Sequence, residues 1–592
     1  MECFHYPYDT ETLLRKKRRL RRELLAQNPH PLHKKVAILG GSTTNEVADQ
    51  LGLFLLQYGI EAEFYQSEYA QYWQDAMFGT PELDAFAPDV IYIHTNWRNI
   101  TALPTPQHTA AEVDAMLEQE FARFVQMWQA LEQKFHCPII QNNFDRPNYR
   151  LLGNRDIWDV RGRSNFISRL NQKFYEYAQQ QEHFYINDLD YLAADYGLAA
   201  WGDAFYWHMY KYAMCLDAIP SVAASVAHII KALYGRNKKA LVLDLDNTLW
   251  GGVIGDDGVE GIALGPEVPE GQVYAEFQSY CKALQSIGVV LAVDSKNEEA
   301  NALAGLRHPD SALAPEDFVA IYANWQPKDQ NLTAIAAQLN LGVDSFVFAD
   351  DNPAERAIVA GQLPGVDTPV LDGAENYIKT LDHGGYFEVT TLSQEDLHKT
   401  ELYHANAQRA AAQATFADYG QYLDSLEMVA TVQPFIPLYT QRIAQLTNKS
   451  NQFNLTTLRC SEDDIRAMAE NADWQTLYGK LEDRFGDNGV VSVAAGEQQG
   501  DTLHLRLWLM SCRVLKRGME DAMMDEMVRL AAQRGVATMV GYYYPTAKNA
   551  MVREFYATMG FEKTEEQPDG STIWRLDVAQ YQPRAAHMQI QR

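Results

Sequence analysis

Two pairs of carboxylates stand at the ends of apolar runs. Asp244 and Asp246 follow Leu241-Val242-Leu243, and Asp350-Asp351 follow Phe346-Val347-Phe348-Ala349. Between them, Asp294-Ser295 closes Val289-Val290-Leu291-Ala292-Val293, and Lys328 ends the polar stretch Trp325-Gln326-Pro327-Lys328. Residues two apart on an extended chain point to one side, and like charges that close are costly unless a cation or a phosphate reaction needs them. Mg²⁺ would resolve the conflict, so these residue types suggest Mg²⁺-dependent work on a phosphate. A single Asp-x-Asp is weak; carboxylates, a hydroxyl and a lysine at four points in this order are far more specific.

The elements that must position these groups alternate between strand and helix. The run 241–243, preceded by polar Gly235-Arg236-Asn237-Lys238-Lys239, reads as a strand buried on both faces, as in parallel sheets. Open α/β sheets bind ligands at the C-terminal ends of their strands, where Asp244, Ser295 and Asp350 all fall. The Gly-rich excursion 250–265 is too irregular for a helix, whereas 269–287 and 332–339 have helical spacing. Three strand ends and one loop therefore converge on a single rim within 236–388.

Asp244-x-Asp246-x-Thr248, Ser295, Lys328 and Asp350-Asp351 resemble the four motifs of the haloacid dehalogenase (HAD) phosphatase superfamily. The resemblance implies that Asp244 takes the phosphoryl group and that Asp246 serves as general acid and base. Ser295 and Lys328 would bind the transferring oxygens. Asp244, the Asp246 carbonyl and Asp350, backed by Asp351, would hold Mg²⁺. Asn247, Thr248, Lys296 and Asn297 are neighbouring candidates for binding phosphate or substrate. The interval from Thr248 to Ser295 has no room for a large cap domain, which implies a bulky substrate or a lid from a partner.

At 592 residues, three or more domains are expected. A formal charge of −28 argues against general nucleic-acid binding. The six cysteines form no CxxC pair, which suggests neither zinc nor disulfides and fits a cytoplasmic protein. No apolar run approaches the ~20 residues of a membrane span, and no signal-peptide core is present. Against the acidic background, Arg15-Lys16-Lys17-Arg18-Arg19-Leu20-Arg21-Arg22 reads either as a solvated helix whose leucines pack on the body or as a docking patch for an acidic partner.

Residues 1–235 read as an α/β domain with strands at 36–39 and 89–94. With Ser42 after the first strand and Asn96 after the second, they resemble SGNH hydrolases. That family's triad needs an Asp three residues before its histidine; here Phe205 precedes His208 at that spacing, so Ser42 lacks its usual activation. Ser42 reads as a structural helix cap, and the domain as degenerate, a scaffold or partner-binding module.

Residues 389–592 begin with an expected linker helix, 393–416, and then read α+β, with strands at 429–432 and 503–510 and helices at 442–454 and 519–534. Asn549, Phe555, Tyr556, Gly560 and Phe561 follow Asn-x5-Phe-Tyr-x3-Gly-Phe, which resembles the GNAT acyltransferase fold. The start of helix 519–534 could hold a phosphate, although Lys516 replaces the first glycine of that family's pyrophosphate loop. Cys512, Arg513, Gly518, Asn549 and Tyr556 are the acyl-transfer candidates.

The order of the three parts, with Asn451-Gln452-Phe453-Asn454-Leu455-Thr456-Thr457 and Met510-Ser511-Cys512-Arg513-Val514-Leu515, resembles the FkbH family of polyketide pathways. The resemblance implies loading of a glyceryl unit from 1,3-bisphosphoglycerate, a small phosphorylated three-carbon substrate, onto the phosphopantetheine thiol of an acyl carrier protein. The family's acyl-carrying cysteine before the motif-two serine is here Asp294, a far poorer acyl-transfer nucleophile. Transfer could then be direct, could use Cys512, or could be lost. A HAD phosphatase joined to a CoA-dependent acyltransferase and a non-catalytic carrier-binding scaffold are the rival readings.

Overall fold

The structure, a computed structural model, describes residues 1–413, 415–546 and 548–592. Its chain packs as two compact units, residues 1–236 with 383–390 and residues 237–382 with 391–592.

The first unit is built on five parallel strands, β1 (Leu32–Gly40), β2 (Ile60–Gln66), β3 (Val90–His94), β4 (Ile139–Asn142) and β5 (Phe184–Asn187), in the order β2-β1-β3-β4-β5. Alternation divides its core: Val36, Ile38, Val90 and Tyr92 pack on one face, Ala37, Leu39, Ile91 and Ile93 on the other. The segment Leu216–Leu233 is long and apolar enough by composition to cross a membrane, but 67% of it is buried in this unit, where its helix Ile219–Leu233 packs on helix Asn45–Gln57.

The basic run lies in the helices Thr10–Arg15 and Lys17–Gln27, with Leu13, Leu20 and Leu24 buried. Four of its seven cations pair within the unit: Arg15 with Glu11, Lys17 with Glu46 and Asp49, Arg19 with Glu23, and Arg21 with Glu61. Exposed pairs of this kind contribute little stability individually.

In the second unit, β6 (Ala240–Leu243), β7 (Val290–Ser295), β8 (Ala320–Ala323) and β9 (Phe346–Ala349) form a parallel sheet in the order β8-β7-β6-β9. Leu243 is in register with both Val293 and Ala349. The register alone therefore brings Asp244, Asp294 and Asp350 to one level. Within the excursion 250–265 the chain makes one short helix, Ile254–Asp257, where the sequence suggested none. Between Thr248 and Ser295 the only long helix is Pro269–Ser286, so no cap domain is inserted in that interval.

The remainder of the second unit carries β10 (Met428–Gln433), β11 (Trp474–Asp483), β12 (Gly486–Gln499), β13 (Thr502–Met510), β14 (Thr538–Tyr543), β15 (Glu562–Glu566), β16 (Thr572–Asp577) and β17 (Met588–Gln591). Their order is β15-β16-β14-β13-β12-β11-β10-β17. Most neighbours are antiparallel, but β13 with β14 and β10 with β17 run parallel. The helix Thr440–Lys449 stops five residues before the expected 454, because Ser450 is extended and the chain enters a loop. The expected linker helix is two helices, Gln394–Leu397 and Lys399–Gln413; position 414 of that expectation lies outside the described residues.

Candidate active site

The C-terminal ends of β6, β7 and β9 open into a cavity of about 320 Å³ lined by Asp244, Asp246, Asn247, Ser295, Lys296, Lys328, Asp350, Asp351, Asn352, Pro353 and Glu355. All but Pro353 are polar, as a site for a charged ligand requires. Lys328 opens the helix Lys328–Leu339 and lies buried between two carboxylates, its Nζ 2.9 Å from Asp244 Oδ1 and 2.5 Å from Asp350 Oδ2. Ser295 lines the same cavity as Asp244 and lies close enough to lower the carboxyl's pKa against the rise caused by burial. Asp350 Oδ1 accepts the Asn352 N–H at 2.8 Å, and Arg356 Nη1 donates to the carbonyls of Asp350 and Asp351 at 2.6 and 2.7 Å. This Arg356 clamp fixes the turn that presents both acids.

Asp244, Asp350 and Asp351 bring ligand oxygens within 4.8 Å of one another. Burial pushes the pKa of each upward; for Asp350 the neighbouring Asp244 adds to the rise, and for Asp351 the neighbouring Asp350 does. Burial alone would lower Lys328, but Asp244 and Asp350 outweigh it and hold its ammonium firmly protonated. One lysine against three crowded carboxylates leaves a negative excess that a hard divalent cation would balance, and the all-oxygen donor set fits such an ion.

Asp246 lines the cavity with its carboxylate held by three donors: Trp250 Nε1 at 2.8 Å and the Ile254 N–H at 3.1 Å on Oδ1, and Asn297 Nδ2 at 2.8 Å on Oδ2. Asn297, a candidate substrate ligand by sequence, thus positions Asp246. Thr248 is fully buried, and its hydroxyl accepts the Asp351 N–H at 3.3 Å. It braces the acidic turn and does not line the cavity. Asn247 adopts φ 55°, a left-handed conformation Asn tolerates, and accepts the Gly252 N–H. Lys296 sits at the rim, paired with Glu355 at 2.6 Å.

Asp294 is set apart from the cavity. It is fully buried, Oδ1 accepts Asn331 Nδ2 at 2.9 Å, and Oδ2 has no hydrogen-bond partner among the described residues. Burial, with lesser repulsion from Asp244 and Asp350, raises its pKa to about 7. The sequence places it as a charge on the rim; the structure places it under the helix Lys328–Leu339, which packs on β7. A folded pKa above the unfolded one means that the native state holds the proton more tightly, so stability falls as pH rises from the ordinary Asp value to about 7. That loss is on the order of 4 kcal/mol. Asp294→Asn is therefore expected to melt at a higher temperature than the parent at pH 8 and at nearly the same temperature at pH 4. Melting curves that differ equally at both pH values would refute a neutral Asp294.

The other candidates are not gathered at this cavity. Cys512 begins a short 3₁₀ turn and its carbonyl accepts Asn340 Nδ2; Arg513 Nε donates to Ser511 Oγ at 3.3 Å. Gly518, at φ 79°, precedes the helix Met519–Gln533, and Lys516 takes the same left-handed conformation at φ 63° without being glycine. Tyr556 is fully buried against Gly541, its hydroxyl without a partner. Asn549 is consumed by backbone contacts described below. In the first unit, Ser42 is not a helix cap: Thr44 precedes helix Asn45–Gln57, and the buried Ser42 Oγ has no hydrogen-bond partner. His208 is exposed on helix Ala204–Tyr210, so no Ser–His pair forms.

Sequence reasoning missed Trp250, Asn331 and Glu355 as partners of Asp246, Asp294 and Lys296. Asn331 left a signal, since it lies three residues after Lys328 on one helix face.

The fold and the site define a parallel α/β domain whose strand ends gather three carboxylates that could hold a metal ion. Residues 35–231 match the family model described as the FkbH N-terminal domain. Among solved structures, the N-terminal part of the protein BF1531 from Bacteroides fragilis, containing a phosphatase domain complexed with Mg, is 29% identical. The match covers 65% of this chain and 100% of that one, with a TM-score of 0.59. The ribosomal-protein-S18-alanine N-acetyltransferase from Escherichia coli (15% identity, 25% of this chain and 94% of that chain, TM-score 0.20) and the GNAT domain of S. lividans PAT (15%, 25% and 89%, TM-score 0.21) also match. At those values the likeness carries no argument about activity. No curated protein matches the chain.

Proposed function

We propose that this protein loads a glyceryl-type acyl unit from a small acyl phosphate, 1,3-bisphosphoglycerate or a relative, onto the phosphopantetheine thiol of an acyl carrier protein, with phosphate removal at the HAD-like site. The observation that carries the phosphoryl half is the convergence of Asp244, Ser295, Lys328 and Asp350 in one open, polar cavity. The acyl half, the cytoplasmic setting and the place in polyketide or related metabolism follow from the FkbH resemblance.

Asp244 offers its carboxylate to the phosphorus of the substrate's phosphate ester, in line with the ester oxygen, which leaves as an alcohol with a proton from Asp246, so that the acyl phosphate is kept for the acyl step. Water then attacks the aspartyl phosphate, Asp246 accepts its proton, and inorganic phosphate leaves. Lys328 and Ser295 face the equatorial oxygens. Asp244, Asp350 and Asp351, with the Asp246 carbonyl, would hold Mg²⁺, which when bound neutralises phosphoryl charge. In the acyl step the carrier sulfur bonds to the acyl carbon, the C–O bond to phosphate breaks, and the thiol proton leaves with phosphate. Asp294, buried beside Asn331 and outside the cavity, is no acyl carrier, which favours direct transfer to the incoming thiol. The absence of a cap leaves the strand ends open to a carrier's long arm.

Incubation with Mg²⁺, 1,3-bisphosphoglycerate and a set of carrier proteins, read by intact mass, is expected to add one glyceryl group to a carrier, and EDTA to abolish the gain. Phosphate release without a carrier adduct would reduce the protein to a phosphatase. No turnover at all would leave a scaffold.

A further inference from the structure

β13 and β14 pair in parallel only where Thr502–Leu505 meets Thr538–Gly541. Beyond that point both strands continue, β13 to Met510 and β14 to Tyr543, without pairing with each other. Diverging parallel strands expose inward-facing N–H and C=O groups, which an extended, amide-bearing chain can satisfy. The helix Met519–Gln533 begins shortly after β13, and a helix start of that length is suited to an anion. A coenzyme-A-type thioester carries both features, an amide-bearing pantetheine arm and a pyrophosphate.

Both positions are taken by the chain itself. The Leu455 N–H donates to the Trp508 carbonyl and the Met510 N–H to the Phe453 carbonyl, each at 3.0 Å. On the opposite side the Tyr544 N–H donates to the Leu455 carbonyl at 2.9 Å, and Asn549 Nδ2 donates to the carbonyls of Asn454 and Tyr544, both at 2.9 Å. Asn549 Oδ1 accepts the Thr546 N–H at 2.7 Å, so its amide is fully used as a clasp. Phe453, Asn454 and Leu455 are buried, and Phe453 and Leu455 belong to the core of the eight-stranded sheet. Independently, Glu520 sits half-buried in the first turn of the helix, its Oε2 without a hydrogen-bond partner among the described residues, and Asp521 follows it. A pyrophosphate would meet two carboxylates there.

We propose that the C-terminal domain is closed to coenzyme-A-type thioesters: Phe453-Asn454-Leu455 is a built-in strand of the gap, Glu520 occupies the anion position, and the acyl group is exchanged only with a thiol that reaches the cavity around Asp244. Only the last clause rests on the proposed carrier loading; closure of the gap stands without it. The full chain, titrated calorimetrically with coenzyme A and with acetyl-coenzyme A, is expected to show no saturable binding. Hydrogen exchange is expected to find the amides of Leu455, Met510 and Tyr544 as protected as those of β12, and unchanged when either ligand is added. Saturable binding of either thioester or free coenzyme A overturns the proposal, and so does fast exchange at those three amides. Asn549→Ala, with its melting temperature recorded, is expected to loosen protection at Leu455 and Tyr544 selectively while phosphate release is unchanged. Glyceryl loading can fail while every one of these results holds, which keeps the two readings separable.

Discussion

Asp244→Asn is expected to lower phosphate release by on the order of 10⁴-fold or more in kcat, because the substitution keeps the shape of the side chain and removes the proposed nucleophile. An amide oxygen shares its lone pair with nitrogen and forms no stable phosphoryl bond. The geometry argues that little else changes. Asp244 is one of three acids whose crowding is unfavourable, and Lys328 keeps Asp350 at 2.5 Å when Asp244 is neutral. The melting temperature in the absence of divalent cation should therefore stay within a few degrees of the parent. Mg²⁺ affinity should fall, since one anionic ligand of the triad is lost. Phosphate release measured beside a melting curve separates lost chemistry from lost folding. A folded Asp244→Asn protein retaining more than about a tenth of the parent rate would disprove the nucleophile.

The site was legible in the sequence because each of its parts ends a buried strand. A short apolar run with a charge at its end has few readings other than a parallel strand reaching a ligand site; Asp244 and Asp350 each had that form, and Ser295 follows the run closed by Asp294. What a side chain does after the strand ends was not legible. Asp294 and Ser295 are consecutive, yet one is sealed under the helix Lys328–Leu339 while the other reaches the cavity, a difference set by which helix packs on β7. Asn297 was grouped with substrate ligands because of its place after the strand; its real partner, Asp246, lies 51 residues away. The long strands β11 and β12 left no alternating pattern, since β12 is buried along most of its length and is rich in Gly, Ala and Val. The polar-looking 451–457 segment gave no hint of burial, because its role depends on carbonyls and amides at Trp508, Met510 and Tyr544, and those pairings exist only once the sheet has formed.

Lys328→Met is expected to cost both activity and folding, and the way the two respond to pH and Mg²⁺ distinguishes this lysine from an ordinary substrate ligand. Lys328 is 3% exposed and bridges two buried carboxylates. Replacing it leaves Asp244 and Asp350 uncompensated, and breaking a buried ion pair in this way costs about 3–5 kcal/mol near neutral pH. The sign of the pH dependence follows from the carboxylates. Their folded-state pKa values already lie above the ordinary one through burial, and without the ammonium they rise further. The folded variant therefore gains protons relative to its unfolded state as pH falls, and the stability deficit shrinks toward acid pH. In the parent, Lys328 stays charged throughout this range, held up by the same two acids. A divalent cation should substitute in part for the lost charge, so added Mg²⁺ is expected to raise the melting temperature of Lys328→Met more than that of the parent. Activity should not follow, because the positive group that faced the transferring oxygens is gone; a loss of about 10²- to 10³-fold is expected even at saturating Mg²⁺. A deficit independent of both pH and Mg²⁺ would show that Lys328 is held by packing against Phe348 and its helix, with the two carboxylates contributing little.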